Sequence, residues 1–187
     1  MNSAAPLRHV CVFAGSHPGT GYGHRQLAVA LGEALARRGL GLVFGGSHCG
    51  LMGALADAVM AGGGRVVGVM PQGLVDRERA HGGLTELIIT PDMHARKATM
   101  AARADAFLAL PGGFGTLEEL FEVVTWAQLG LHRKPIGLLN GGGFWDGLVA
   151  FLDHAGAEGF IPQASLGLLR CDADPDRLLD LLSNPEA

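Results

Sequence analysis

Short apolar runs rich in Val, Leu and Ile recur along the chain, and a helix-sized segment follows each. The runs His9–Ala14, Leu40–Phe44, Arg65–Met70, Leu87–Ile89, Ala106–Leu110 and Pro135–Leu139 read as strands. Several are apolar at successive positions, as in a parallel sheet covered on both faces. Helices are expected over Tyr22–Arg38, Leu51–Ala61, Met93–Arg103, Leu117–Leu129 and Trp145–Ala155, with a last one, Pro175–Leu182, packed on the outside. This alternation predicts βαβ units and a doubly wound, mainly parallel α/β sheet with helices on both faces. No linker, repeat or low-complexity tract breaks the pattern. A single domain is therefore expected over residues 1–187, with residues 1–6 flexible.

Glycine sharpens this picture. The 30 glycines follow no collagen-like period and cluster at the ends of the apolar runs. Three strands end in glycine-rich turns that open helices: Ala14–Gly21, Gly45–Gly50 and Pro111–Thr116. Ligands of open α/β sheets bind outside the carboxyl ends of the strands. Bare backbone N–H groups and helix N-termini there favour a phosphate. Glycine also serves plain tight turns, so one such loop means little; three together point to a nucleotide or a sugar phosphate. None reads G-x-G-x-x-G, which leaves a dinucleotide unsupported. The Gly45 to Gly50 spacing resembles a P-loop, but Leu51-Met52 stands where Lys-Ser/Thr is required. Without hydride or phosphoryl-transfer machinery, the phosphate reads as a handle and the chemistry falls elsewhere on the substrate.

Composition narrows the classes. Of 187 residues, 48% are hydrophobic and 17% charged, which argues against disorder. A net charge of −4 disfavours nucleic acid as a partner. The apolar runs are too short to span a membrane, and Met1–Pro6 has neither a basic stretch nor a long apolar core, so no secretory signal is expected. Cys11, Cys49 and Cys171 are odd in number and widely spaced, which fits reduced thiols in the cytoplasm and not a disulfide framework or zinc site.

Two segments carry candidate chemistry. Thr116-Leu117-Glu118-Glu119 begins an amphipathic helix, and Thr116 with Glu119 has the spacing of a capping box. The same geometry also suits function: a carboxylate in the first turn lies in the positive end of the helix dipole and stays ionised. It would stabilise a developing cation or orient a water. The second segment is Asp92-Met93-His94-Ala95-Arg96-Lys97, in which Asp92 is a good N-cap. Met93, Met100 and Ala104 follow a buried stripe. Arg96, Thr99 and Arg103 share another side, which reads either as a solvated basic patch or as a grip for phosphate, ribose or base. Other constellations fail. There is no H-E-x-x-H and no G-x-S-x-G, so neither a metal site nor a hydrolase triad is expected. His94 and His132 read as packing or surface residues, Trp126 and Trp145 as core or dimer contacts, and Phe144-Trp145 as a loop anchor. The two lysines, Lys97 and Lys134, do not lie in contexts suited to pyridoxal phosphate.

The segment Pro111-Gly112-Gly113-Phe114-Gly115-Thr116-Leu117-Glu118-Glu119 resembles the signature P-G-G-x-G-T-x-x-E, and Met93-His94-Ala95-Arg96-Lys97 resembles M-H-x-R-K. Gly45-Gly46-Ser47 with Gly50-Leu51-Met52-Gly53, Thr125–Gly130 and Lys134–Asn140 match the same pattern in order. The chain is thus similar to the Lonely Guy (LOG) family of cytokinin riboside 5′-monophosphate phosphoribohydrolases, often labelled lysine decarboxylases. That label finds no support in the two lysines. The resemblance implies a Rossmann-like fold, a homodimer, no cofactor, and hydrolysis of the N-glycosidic bond of N6-modified AMP to free base and ribose 5-phosphate. It implies that Arg96 and Glu119 are the catalytic pair and that Gly112, Gly113, Gly115 and Thr116 bind the phosphoribose. It also places Ser16, Gly45, Gly46, Met93 and Lys97 among the nucleotide contacts. One departure is small: Ala14-Gly15-Ser16 stands where many members have Cys-Gly-Ser. A general AMP nucleosidase and a non-catalytic nucleotide binder remain as other readings of the same loops.

Overall fold

In strand β1 (His9–Phe13), Val10 and Val12 point to one side while Cys11 and Phe13 point to the other, and all four are buried. The same division holds in β2 (Gly41–Phe44) and β5 (Ala106–Ala109). A strand turns successive side chains to opposite faces, so runs apolar at every position need cover on both. A computed structural model, which describes residues 6–75 and 80–184, shows that cover. Helices α1 (Tyr22–Arg37) and α2 (Gly50–Ala61) pack on the face of Val10 and Leu42. Helices α3 (Met93–Arg103) and α4 (Phe114–Gln128) pack on the face of Cys11 and Phe107. Of the segment 1–6 expected to be flexible, residues 1–5 lie outside the described residues.

With β3 (Val66–Pro71), β4 (Glu86–Thr90), β6 (Ile136–Leu139) and β7 (Leu169–Asp172), the sheet has seven strands in the order β4-β3-β2-β1-β5-β6-β7. Every neighbouring pair is parallel. The expected doubly wound α/β fold is therefore present. Among the described residues, helices α5 (Asp146–Ala157), α6 (Gln163–Leu166) and α7 (Pro175–Ser183) follow, and α7 buries Leu178, Leu179 and Leu182. Among the described residues no helix is long and apolar enough to cross a membrane.

The chain winds outward from β1 to β4, then crosses back to β5 on the other side of β1. That reversal opens a crevice at the carboxyl ends of β1 and β5, where α/β sheets hold ligands. The two strands pair up to Phe13↔Ala109. Beyond them the Gly15 N–H donates to the Pro111 carbonyl at 3.1 Å. The loop before α2 joins as well, since the Leu51 N–H donates to the Gly15 carbonyl at 3.0 Å. All three glycine-rich turns therefore meet at one place.

The structure departs from the sequence reading in several details. Strand β7 and helix α6 were not expected. Helix α4 begins at Phe114, three residues before the expected Leu117. Met93 does not continue the buried stripe of Met100 and Ala104; it is 40% exposed. The apolar stripe starts two turns later, at Met100, and the buried residue of the first turn is Arg96.

Candidate active site

The early start of α4 changes the meaning of its first residues. Gly113 is the N-cap and makes no side-chain cap, and Leu117 donates to its carbonyl at 3.0 Å. Thr116 is therefore the third helical residue and is buried. Glu119 lies in the second turn, and the first turn holds no acidic residue. The capping box expected from Thr116 and Glu119 does not form. The N–H groups of a first helical turn have no acceptor within the helix, and the positive end of the helix dipole points the same way.

The glycines of this loop divide into two kinds. A side chain at Gly112 would overlap Thr116, and one at Gly15 would stand 3.2 Å from the Gly112 backbone. Gly112 is glycine because the Thr116 side chain occupies the space a Cβ would need, and Gly15 because the backbone of the third loop passes close by. Gly113 and Gly115 meet nothing within 4 Å, and neither has a positive φ. Packing does not demand glycine at either position, although glycine inside a helix costs about 1 kcal/mol relative to alanine. What the missing side chains leave is open access to the amides.

That access is to a cavity of about 490 Å³ in the crevice. Ser16, Gly112, Gly113, Gly115 and Thr116 lie in its wall, and so do Arg96 and Glu119. Arg96 gets there from the first turn of α3, which is capped by Asp92 accepting from the Ala95 N–H at 2.8 Å. It is not part of a solvated patch: it is 6% exposed. Its Nε donates to the Val69 carbonyl at 3.1 Å and its Nη2 to the Gly45 carbonyl at 3.3 Å. Gly45 is bare because any side chain there would collide with the guanidinium. Arg103, one of its expected companions, does face solvent and pairs with Glu86 at 3.2 Å.

The remaining guanidinium nitrogen of Arg96, Nη1, stands 3.8 Å from Glu119 Oε1, and the Glu119 side chain is 12% exposed. The separation is an ion-pair distance but too long for a hydrogen bond. Two opposite charges, each largely removed from water, thus face the same cavity without closing on each other. Cys11 lies beneath them. Burial first, and then the negative charge of Glu119, push its thiol well above the usual range, so it stays a neutral packing group.

Four of the sequence candidates lie outside the cavity wall. Gly45 holds Arg96, as described. Gly46 takes a positive φ of 82° and accepts from the His81 N–H at 2.9 Å. Met93 brings its sulfur to 3.7 Å from Arg96 Nη1. Lys97 turns to α4, where its ammonium meets Glu118 and Glu122. Conversely, His24 and Phe144 line the cavity unanticipated, their rings edge to face at 5.7 Å. Of the Phe144-Trp145 pair, only Trp145 is buried. The available signal was position: Phe144 follows a glycine triplet at the carboxyl end of β6, and such ends form the site. Among the described residues no group of three or more His, Cys, Asp and Glu is placed to hold a metal ion.

Comparison with known proteins adds to this geometry. A family model described as "Possible lysine decarboxylase" matches residues 52–182. The probable cytokinin riboside 5′-monophosphate phosphoribohydrolase LOGL5 of Oryza sativa subsp. japonica is 54% identical over 159 residues, which is 85% of this chain and 65% of that protein. The chain thus spans slightly less than two thirds of that relative. The cytokinin riboside 5′-monophosphate phosphoribohydrolase of Rhodococcoides fascians is 52% identical, over 84% of this chain and 80% of its own length. Among solved structures, the molybdenum cofactor binding protein from Rippkaea orientalis superposes with a TM-score of 0.71 at 20% identity, covering 97% of this chain and 98% of that one. That likeness shows the fold alone.

Proposed function

The chain belongs to the LOG family, and from that premise we propose that it hydrolyses the N-glycosidic bond of adenosine 5′-monophosphates with a modified N6, as in cytokinin riboside monophosphates. The products are the free base and ribose 5-phosphate. The observation that carries this reading is the Arg96–Glu119 pair, held 3.8 Å apart in the wall of a cavity that also contains a bare helix N-terminus.

The 5′-phosphate is the handle. It takes the first-turn amides of α4, with Ser16 and Thr116 beside it. The ribose then lies toward Glu119. Cleavage of the C1′–N9 bond leaves oxocarbenium-like charge on C1′, and a carboxylate opposite that carbon stabilises it, as in glycosidases. Glu119 also orients the attacking water and takes its proton. The hydroxyl adds to C1′ and a proton goes to the departing purine, so the atoms balance. With Nε and Nη2 fixed on the Val69 and Gly45 carbonyls, Arg96 presents Nη1 to the phosphoribosyl group or to the leaving base. Gly45, Gly46 and Met93 then serve the nucleotide indirectly, through the loop and helix that carry Arg96.

A decarboxylase reading lacks a lysine for a Schiff base at this site. Lys97 is held by two glutamates, and Lys134 Nζ donates to the Ala101 carbonyl at 2.7 Å. We also infer a homodimer in the cytoplasm. The exposed apolar side chains Leu129, Leu131, Phe151 and Phe160 support pairing of two copies, and three free cysteines suit a reducing compartment. The net charge of −4 speaks against nucleic acid as a partner.

The test is to incubate the protein with AMP, isopentenyl-AMP and the matching unphosphorylated riboside, and to separate any free base by chromatography. Base released from the monophosphates and not from the riboside is expected, with isopentenyl-AMP preferred. Equal turnover of plain AMP would make the chain a general AMP nucleosidase. Nucleotide binding without base release would leave a non-catalytic binder.

A further inference from the structure

Arg96 and Lys97 are consecutive on α3, so their side chains leave the helix about 100° apart. Arg96 enters the cavity wall. Lys97 does not: its side chain, 10% exposed, runs to α4 and places Nζ 2.5 Å from Glu118 and 3.0 Å from Glu122. Glu118 and Glu122 are four residues apart, on one side of α4. Glu119 is the next residue round the helix from Glu118. Lys97, Glu119 and Glu122 border one small void of about 10 Å³ beside Phe13 and Phe107. The clamp and the carboxylate of the site therefore share a wall. The hydrogen bond that Lys97 donates to Glu118 first, then the one it donates to Glu122, hold its ammonium above the usual range against the opposing effect of burial, so Lys97 is charged throughout the neutral range.

We propose that Lys97 is a positioning residue: by bracketing Glu119 through Glu118 and Glu122, it locks α4 against α3 and sets the gap between Glu119 and Arg96, without touching the substrate. Both helices pack on the same sheet face, and apolar packing is non-directional; the clamp adds a directional polar tie between them next to the site. The Arg96–Glu119 contact itself, at 3.8 Å and without a hydrogen bond, is too loose to serve as such a tie. The inference rests on the hydrolase reading above, in which that gap receives the ribose.

The experiment compares Lys97→Met, Lys97→Arg and Glu122→Gln with the wild type. AMP dissociation constants come from calorimetry, and kcat and KM from base release. Lys97→Met is expected to bind AMP within about threefold of the wild type, since no substrate contact is lost. Its kcat is expected to fall by about 10–100-fold, the scale of a small displacement of a reacting group. Glu122→Gln should move in the same direction by less, and Lys97→Arg should recover most of the rate. An AMP affinity weakened about tenfold or more with kcat intact would make Lys97 a substrate ligand and overturn the proposal. An unchanged kcat in Lys97→Met would overturn it too. If the wild type releases no base, the hydrolase reading fails. The clamp is then judged by melting temperatures: non-additive losses in the Lys97→Met/Glu122→Gln cycle support it, and additive ones overturn it.

Discussion

Two arginines of this fold face carboxylates in opposite ways. Arg38, at the end of α1, closes on α7: Nε reaches Asp176 at 2.9 Å, Nη1 reaches Asp180 at 2.6 Å, and Nη2 reaches the Asp176 carbonyl at 3.0 Å. Its side chain is 28% exposed, and the network ties two outer helices together. Arg96 is far more buried, yet its one carboxylate partner stays 3.8 Å away and the backbone takes two of its nitrogens. Exposed pairs add little and are free to close. A buried pair that stops short of closing carries desolvation without its full Coulombic return. The contrast is between a strut, Arg38, and a buried pair, Arg96 and Glu119, that lines the cavity 3.8 Å apart and that the proposed function fills with the ribose.

Removing Arg96 separates the two cases most strongly. Arg96→Met is expected to lower kcat/KM by about 10²–10³-fold, read from base release. It also leaves the Val69 and Gly45 carbonyls without their donor, at a cost of about 1–3 kcal/mol in denaturant unfolding. A variant with full activity would place Arg96 with the struts.

The glycines of the α4 loop sharpen the comparison at intermediate size. Gly112→Ala forces Thr116 and the Gly15 backbone aside and is expected to destabilise the fold by about 1–3 kcal/mol. Gly113→Ala meets nothing within 4 Å, so its unfolding midpoint should hardly move. Its AMP affinity should fall about tenfold, the value of one lost hydrogen bond to a charged group, by calorimetry. If both variants lose only stability, the loop is packing and not a cradle.

Arg38→Ala is expected to have the smallest effect, with full activity and a melting temperature lower by no more than about 4 °C. Its pH dependence has a definite sign. The hydrogen bond from Arg38 holds the Asp180 carboxyl below the usual aspartate range, burial opposing weakly. A carboxyl group depressed in the folded state stabilises above its unfolded value and loses that contribution as pH falls through its folded value. The gap in melting temperature between Arg38→Ala and the wild type should thus be full at neutral pH and shrink below about pH 4. A gap that widened on acidification would contradict the assignment.

The sheet was legible wherever strands are apolar at every position. Thus β1, β2, β3, β5 and β6 were found, and β4 was found to within a residue at each end. Strand β7 was not, because Leu169-Arg170-Cys171-Asp172 is only partly buried and at the sheet edge. It exists through its pairing with β6, from Ile136↔Leu169 to Leu139↔Asp172, and not through its own composition. At the site, the glycine loops announced themselves, and Arg96 and Glu119 came with the family resemblance. What sequence spacing misjudged was where α4 begins. Thr116 at an N-cap spacing suggests a cap, but a Gly-Gly turn lets the backbone enter the helix three residues earlier. The resemblance puts Lys97 among the nucleotide contacts, yet a helix turns consecutive side chains to different neighbours, and Lys97 faces α4. His24 reaches the cavity from the first turn of α1 and Phe144 from the turn after β6; sheet order brings the two together, which no local pattern encodes.

The most direct measurement is made on Glu119→Gln, with AMP binding by calorimetry beside base release by chromatography. The account predicts normal folding, AMP affinity close to that of the wild type, and base release lower by about 10²–10³-fold. Base release near the wild-type rate would contradict it, because a neutral amide can neither stabilise a cation at C1′ nor take a proton from water.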